Sequence, residues 1–473
     1  MWQSSDPGGD FTLMGSVEFM HKTRWQDLPG PVRNQARRCL LDTIGAALGG
    51  RRTALSRIVH DFAAAAFGGA GATLWLDGRA VSPPGAALAN GMTIDSLDIH
   101  DGYLAVKGHA GAAVVPAALA IVPVDRGQPV SGQELLTTLV IGYEIALRAG
   151  VALHATACDY HTSGAWNALG CAAMTARRLM LDTIQTRHAL GIAEYHGPRS
   201  QMMRCIDHPT MLKDGSGWGA MTGVSAAMLA AASFTGAPAV TVEAPEAAVI
   251  WADLGTRWRI VEQFFKPYAV CRWAQPAIAG ALALQRDHEL SLSAIERIEV
   301  STFHQATRLA CRRPTTTEEA QYSLPFPVAA ALVHGQLGLA QLDGAGLRSP
   351  DVLRLADRID LVDDPALSTR FPAERVARVR IETTAGVILD SGEVTAPWDA
   401  GCPPADQELI EKFRELAAES VSMARTNELL DVIWNCAELP DIGRLIALLS
   451  PPCDSADTDP ARKDEKRAHA NAL

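Results

Sequence analysis

Four short segments concentrate acids, imidazoles and cations. Asp98-Ile-His100-Asp101-Gly-Tyr103-Leu-Ala-Val-Lys107-Gly-His109 sets acid, base and ammonium side chains in a glycine-punctuated loop, the mixture that proton transfer on an anionic substrate requires. His100 and His109 with Asp98 also offer a nitrogen–nitrogen–oxygen metal set, although neither H-x-H nor H-E-x-x-H spacing occurs. A solvated interhelical loop is the plain alternative. Asp159-Tyr-His161-Thr-Ser-Gly164 precedes a predicted helix, so His161 stands where the helix dipole disfavours imidazolium and leaves a base. Lys213 precedes the Gly-rich start Asp214-Gly-Ser-Gly-Trp-Gly219, a carboxylate cradle without the order of a P-loop. Lys266-Pro-Tyr268-Ala-Val-Cys271-Arg272-Trp-Ala-Gln275 offers two cations for carboxylates, with Arg272 able to form a bidentate fork. Cys271 reads as a buried, inert thiol. No strand–turn–helix context supports a serine-hydrolase elbow or a dinucleotide fingerprint.

The elements around these segments change character along the chain. Residues 31–265 read as helical, with helices near 31–48, 54–66, 84–96, 111–122, 131–149, 164–179, 183–193 and 215–234. Ser131-Gly-Gln-Glu134 is a capping box. Gly164-Ala-Trp-Asn-Ala-Leu-Gly170 and Gly215-Ser-Gly-Trp-Gly-Ala-Met-Thr-Gly223 are dense in small residues, which lets helix backbones approach closely and puts functional groups at helix ends. After Lys266 a helix is expected at 272–287, a period-two strand at 297–303, a helix from Tyr322 to Leu332, and a hairpin from 378–384 and 387–389. Helical periodicity returns from Asp406 to Leu449. The expected architecture is a mainly α large domain, 1–265 with 396–453, plus a smaller α+β lid domain, 266–395. The charged segment 454–473 is expected to be a disordered tail.

The 473 residues carry 42 basic and 53 acidic side chains, net −11, with 48% hydrophobic residues. This is globular composition, and its sign argues against nucleic acid or an anionic membrane as partner. Between Asp214 and Glu243 no residue is charged, but Ala, Gly and Ser dominate and Pro238 interrupts, so a buried helix is expected rather than a membrane span. Nine cysteines include no C-x-x-C, and MWQSSDPGGDF has neither a basic nor an apolar signal region, so reduced thiols in a cytoplasm are expected.

The landmarks LLDTIGAALGG, TLWLDGR, GHAGAAVVPA, GYEIALRAG, MLKDGSGWGAMTGVSAA, FTGAP, KPYAVCRW and EEAQYSLPFPVAAAL, in this order, resemble the MmgE/PrpD family over about residues 15 to 450. The resemblance implies dehydratases, decarboxylases and epimerases of small carboxylic acids, such as 2-methylcitrate dehydratase, cis-aconitate decarboxylase and iminodisuccinate epimerase. It also implies a homodimer needing no metal or organic cofactor, and site residues Asp98, His109, His161, Lys213 and Lys266. Lys107, Asp101, Tyr103, Tyr268, Arg272 and Gln275 are expected to contact substrate. The chain departs from the family pattern at His100, at Ala110, at Gln275 where many members have histidine, and at Phe326 where the decarboxylase resemblance calls for tyrosine.

The expected function is a cofactor-independent lyase of dehydratase type acting on a small di- or tricarboxylic acid. An epimerase, a decarboxylase and a non-catalytic carboxylate binder follow in that order. His161 or His109 is expected to move the proton, Lys213 and Lys266 to hold carboxylates, and Asp98 to orient a histidine or the substrate. Activity is expected to survive exhaustive chelation; loss on EDTA treatment, restored by one divalent ion, contradicts this.

Overall fold

The computed structural model describes residues 7–122 and 129–452, with 7–11 as backbone only. The tail expected at 454–473 lies outside the described residues. Among the described residues, the longer helices before residue 232 are α1 (Pro7–Lys22), α2 (Gly30–Gly50), α3 (Ala54–Ala66), α4 (Pro83–Asp95), α5 (Gly111–Ala120), α6 (Gly132–Thr156), α7 (Gly164–Arg178), α8 (Thr183–His196) and, after a short turn of helix, α9 (Ser216–Ala231). The starts follow local chemistry. Thr53 caps α3 through Ser56 N–H, Ser131 caps α6 through Glu134 N–H, and Asp182 forms a capping box with Gln185. Helix α1 carries two glycines at its start, and the sequence reading places no helix there.

The tightest packing joins α4, α7 and α9. A Cβ on Gly219 would lie 2.4 Å from Gly164 O, and one on Gly223 2.3 Å from Ala168 O. On the other side, a Cβ on Gly217 would meet Leu88 O at 2.4 Å. Only glycine permits these backbone approaches. The small-residue stripes read from the sequence are therefore a three-helix contact, and it brings the starts of α7 and α9 together. Helix α9 is not wholly buried as expected: Trp218, Met228 and Leu229 are exposed on its outer face. One described helix, Gly132–Thr156, is long and apolar enough to cross a membrane, and it is buried within the fold.

Beyond residue 266 the chain builds a four-stranded sheet from β1 (Ile295–Thr302), β2 (Ile359–Asp363), β3 (Val376–Thr383) and β4 (Ile388–Thr395), ordered β2-β1-β3-β4. β1 pairs parallel with β2 and antiparallel with β3, and β3–β4 is the predicted hairpin, turning at Gly386 with φ +77°. Strand β2 has five residues, two of them exposed, and offers too little alternation to be read from sequence. Helices α10 (Gln275–Asp287) and α11 (Pro325–His334) accompany the sheet. Pro325 sits in the first turn of α11, so Tyr322, expected inside that helix, falls in the link before it.

Helices α12 (Asp406–Ala418), α13 (Met423–Trp434) and α14 (Gly443–Leu449) return to the first helices. Lys412, buried on α12, donates to Asp42 Oδ1 at 2.6 Å and to Ile99 O at 2.7 Å. One ammonium group thus ties the C-terminal helices to α2 and to the 98–109 loop. Lys412→Met should destabilise the fold by about 3–5 kcal/mol, the cost of leaving one partner of a buried pair uncompensated. Urea denaturation checks this, and Lys412→Met combined with Asp42→Leu should recover much of the loss.

Candidate active site

The chain between α4 and α5 turns through Asp98 at φ +48° and Lys107 at φ +51°, and Lys213 just before α9 has φ +50°. Non-glycine residues hold this region only when their surroundings impose it, and such residues cluster at functional sites. Three of the sequence-selected residues share the feature.

Asp98 and Lys266 form the centre. Lys266 Nζ, fully buried, donates to Asp98 Oδ1 at 2.5 Å and to Asp98 O at 2.7 Å. His109 Nε2 lies 3.7 Å from the same Asp98 Oδ1. On the far side of the ring, His109 Nδ1 is 2.5 Å from Asp101 O. A carbonyl can only accept, so Nδ1 carries the proton and Nε2 keeps its lone pair toward Asp98. Burial, then Lys266 and His100, hold His109 well below the ordinary imidazole range. His109 is thus a neutral base across physiological pH. His100 stacks edge-on against it, centroids 4.5 Å apart, and bonds to Asp95 at 3.2 Å.

Lys213 closes the group from α9. It is 3% exposed, bonds to Gln321 and faces the Tyr322 ring at 5.2 Å. Burial lowers its pKa, against the pull of Asp98, Glu318 and Asp95. The start of α7 is fixed to the same place: Ser163 accepts from His109 N–H at 2.8 Å and bonds to Asp214. Ser163 stands at the N-cap position, but its hydroxyl serves this bridge rather than the helix. Burial and Asp95 push the Asp214 carboxyl well above the usual carboxylate range.

The remaining selected residues divide. His161 has partners of its own: Nε2 is 3.8 Å from Asp159, its backbone N–H donates to His154, and its buried Nδ1 has no partner among the described residues. Lys107 lies over the Tyr160 ring at 4.5 Å. Tyr268 is half-buried near the Lys266 turn. Tyr103, Arg272 and Gln275 are occupied in holding the fold. Tyr103 bridges Glu262 and Arg259; Arg272 stacks on Phe264 and donates to the Phe265 and Pro397 carbonyls; Gln275 donates to the Tyr268 and Val270 carbonyls. Arg272 therefore sets the Lys266 turn rather than presenting a free fork. Lys266 itself is fully buried and paired with Asp98. Cys271 is buried and pushed up to about 12, which leaves it a thiol.

Two functional positions escaped the sequence reading. Tyr322, 4% exposed, has its ring beside the Lys213 ammonium, and burial followed by Asp98 raises its phenol well above the ordinary range. It supplies a phenol one turn before Phe326, which is itself fully buried. Arg375, just before β3, donates to Leu104 O at 3.1 Å from the sheet side. An isolated arginine just ahead of a strand with alternating charge gives no signal. Among the described residues no three His, Cys, Asp or Glu side chains form a set that could hold a metal ion.

Asp101, besides supplying the carbonyl to His109, buries its carboxyl against Asp42 and accepts from Tyr143 at 2.7 Å. Burial and Asp42 push it up to about 6. A carboxyl raised above its unfolded value adds stability below about pH 4 that is lost as pH rises through about 6. Asp101→Asn keeps the acceptor for Tyr143 and removes the titration. Between pH 4.5 and 7.5 the wild-type protein should therefore lose on the order of 2–3 kcal/mol relative to Asp101→Asn, measured by urea denaturation at both pH values.

Comparison with known proteins places this site in context. The MmgE/PrpD N-terminal domain matches residues 17–255 and the MmgE/PrpD C-terminal domain matches residues 268–436. The chain is 26% identical over 471 residues to the cis-aconitate decarboxylase of Aspergillus terreus (strain NIH 2624 / FGSC A1156), covering 91% of this chain and 94% of the relative. It is 24% identical to the cis-aconitate decarboxylase-like protein oryM of Aspergillus oryzae (94% and 98% covered) and 25% identical to the cis-aconitate decarboxylase of Homo sapiens (93% and 95%).

Proposed function

The chain belongs to the MmgE/PrpD family, and on that premise we propose that it is a lyase of dehydratase type acting on a small di- or tricarboxylic acid. The reading includes a cytoplasmic homodimer working without metal or organic cofactor. The observation that carries it is the pairing of a neutral His109, its Nε2 free, with the buried ammonium groups of Lys213 and Lys266 around Asp98.

The chemistry follows from charge. Removing a proton beside a carboxylate places negative charge on the carboxylate oxygens, and buried cations stabilise that charge more than water does. His109 Nε2 takes the proton. Lys213, bound to the neutral amide of Gln321 rather than to an acid, has its charge free for the substrate. Lys266 shares its charge with Asp98 and so positions that carboxylate beside His109. Hydroxide departure needs a proton donor; the buried Tyr322 phenol beside Lys213 is the group we assign to it.

Decarboxylation is the second reading, favoured by the names of the relatives. Loss of the phenol at Phe326 weighs toward dehydration instead.

The test offers a panel of citrate-type and aconitate-type acids in deuterated water and follows products by NMR. Dehydration or hydration with deuterium at the carbon next to a carboxylate is expected. Carbon dioxide release supports the second reading, and binding without exchange or turnover supports a non-catalytic binder. On the active substrate His109→Ala should lower kcat by ~10²-fold or more, whereas Lys213→Ala should chiefly raise KM. His161→Ala with an equal kcat loss, and His109→Ala with none, would transfer the base to His161.

A further inference from the structure

Arg375 and Lys107 meet at one carbonyl: Leu104 O accepts from the Arg375 guanidinium at 3.1 Å and from the Lys107 backbone N–H at 3.1 Å. Arg375 belongs to the sheet-bearing part, immediately before β3, and Lys107 to the loop that carries Asp98 and His109. Arg375 is 6% exposed, yet its one hydrogen bond is to Leu104 O, and its Nε is buried without a partner. A guanidinium has five N–H donors, so most of its capacity is unused. Lys107 is half-buried, held at φ +51°, with its ammonium over the Tyr160 ring and no hydrogen bond. Among the described residues neither cation has an ion pair. Asp399 acts on Arg375 from a distance but makes its own contact with Arg272 at 3.6 Å.

Two neighbouring cations, one fully buried and neither neutralised, are costly unless an anion joins them. Burial and Arg375 bring Lys107 down to about 8, and burial brings Arg375 to about 10.

We propose that Arg375 and Lys107 form a subsite for a second carboxylate of the substrate, distinct from the carboxylate held by Lys213. The inference rests on the polycarboxylate reading above and narrows it: a monocarboxylate leaves the pair empty, and a substrate spanning both places bridges the sheet-bearing part and the 98–109 loop. Arginine meets a carboxylate in a planar two-bond fork, and lysine adds a point charge beside it.

The probes are tricarballylate, butyrate and inorganic phosphate, titrated calorimetrically into the full chain at low salt. Wild-type protein should bind tricarballylate at least a hundredfold more tightly than butyrate. Arg375→Gln and Lys107→Gln should each weaken tricarballylate at least tenfold and change butyrate by less than twofold. Lys107 is half-exposed, so its variant tests the subsite even if Arg375→Gln melts early. Both variants within twofold of wild type for tricarballylate, with Lys213→Ala abolishing it, overturns the subsite and leaves the functional reading standing. Phosphate binding lost in both variants without any effect on tricarballylate also overturns the subsite. No tricarballylate binding by wild-type protein overturns the subsite and the polycarboxylate reading together.

Discussion

Close backbone contact between α7 and α9 is the constraint on which the site depends. Gly164, Gly219 and Gly223 let the two helices approach so nearly that a single Cβ would strike a carbonyl oxygen. The approach brings two helix starts side by side, and each start carries part of the site: Ser163 on one, Lys213 and Asp214 on the other. Ser163 then fixes the backbone of His109. Widening the contact by one methyl group would separate the cation from the base, because interiors packed to crystal density transmit such shifts instead of absorbing them.

Electrostatics completes what packing begins. The chain is acidic as a whole, with net charge −11, and buried cations are set among the acids of the site: Lys213 lies in the fields of Asp98, Glu318 and Asp95. Lys266 answers Asp98, Lys412 answers Asp42 beneath the same loop, and the rest of the positive charge faces inward. The burial of these cations inside the fold is what an anionic substrate needs from an acidic protein. It also explains why His109 stays neutral: each added cation nearby makes imidazolium harder to form.

Much of this was legible in the sequence. While α6 runs to Thr156, seven residues beyond its expected end, helices α2 to α9 start within a few residues of their expected bounds because their apolar spacing and caps are local signals. Ser131 and Glu134 are examples. The small-residue stripes announced the helix contact, since only packing explains so much glycine inside helices. Asp98, His109, Lys213 and Lys266 were found because acids and bases crowd short segments there. The division of labour among cations was not legible. Arg272 and Arg375 look alike in sequence, and only the fold shows one bound to backbone carbonyls and the other with its Nε unpartnered. Tyr322 was hidden for a related reason. Its role depends on Lys213, distant in the chain, and on Pro325 ending the link that presents it.

The central claim is that His109 is a neutral base with its lone pair on Nε2. Long-range proton–nitrogen correlation spectra of protein labelled with ¹⁵N-histidine test it directly, with the His109 signals assigned by their loss in His109→Gln. The account predicts Nδ1 protonated and Nε2 unprotonated, with no charging of the ring as pH falls from 8 to 6. A ring protonated on Nε2 alone, or one that becomes imidazolium near its ordinary pKa of about 6.5, would contradict it.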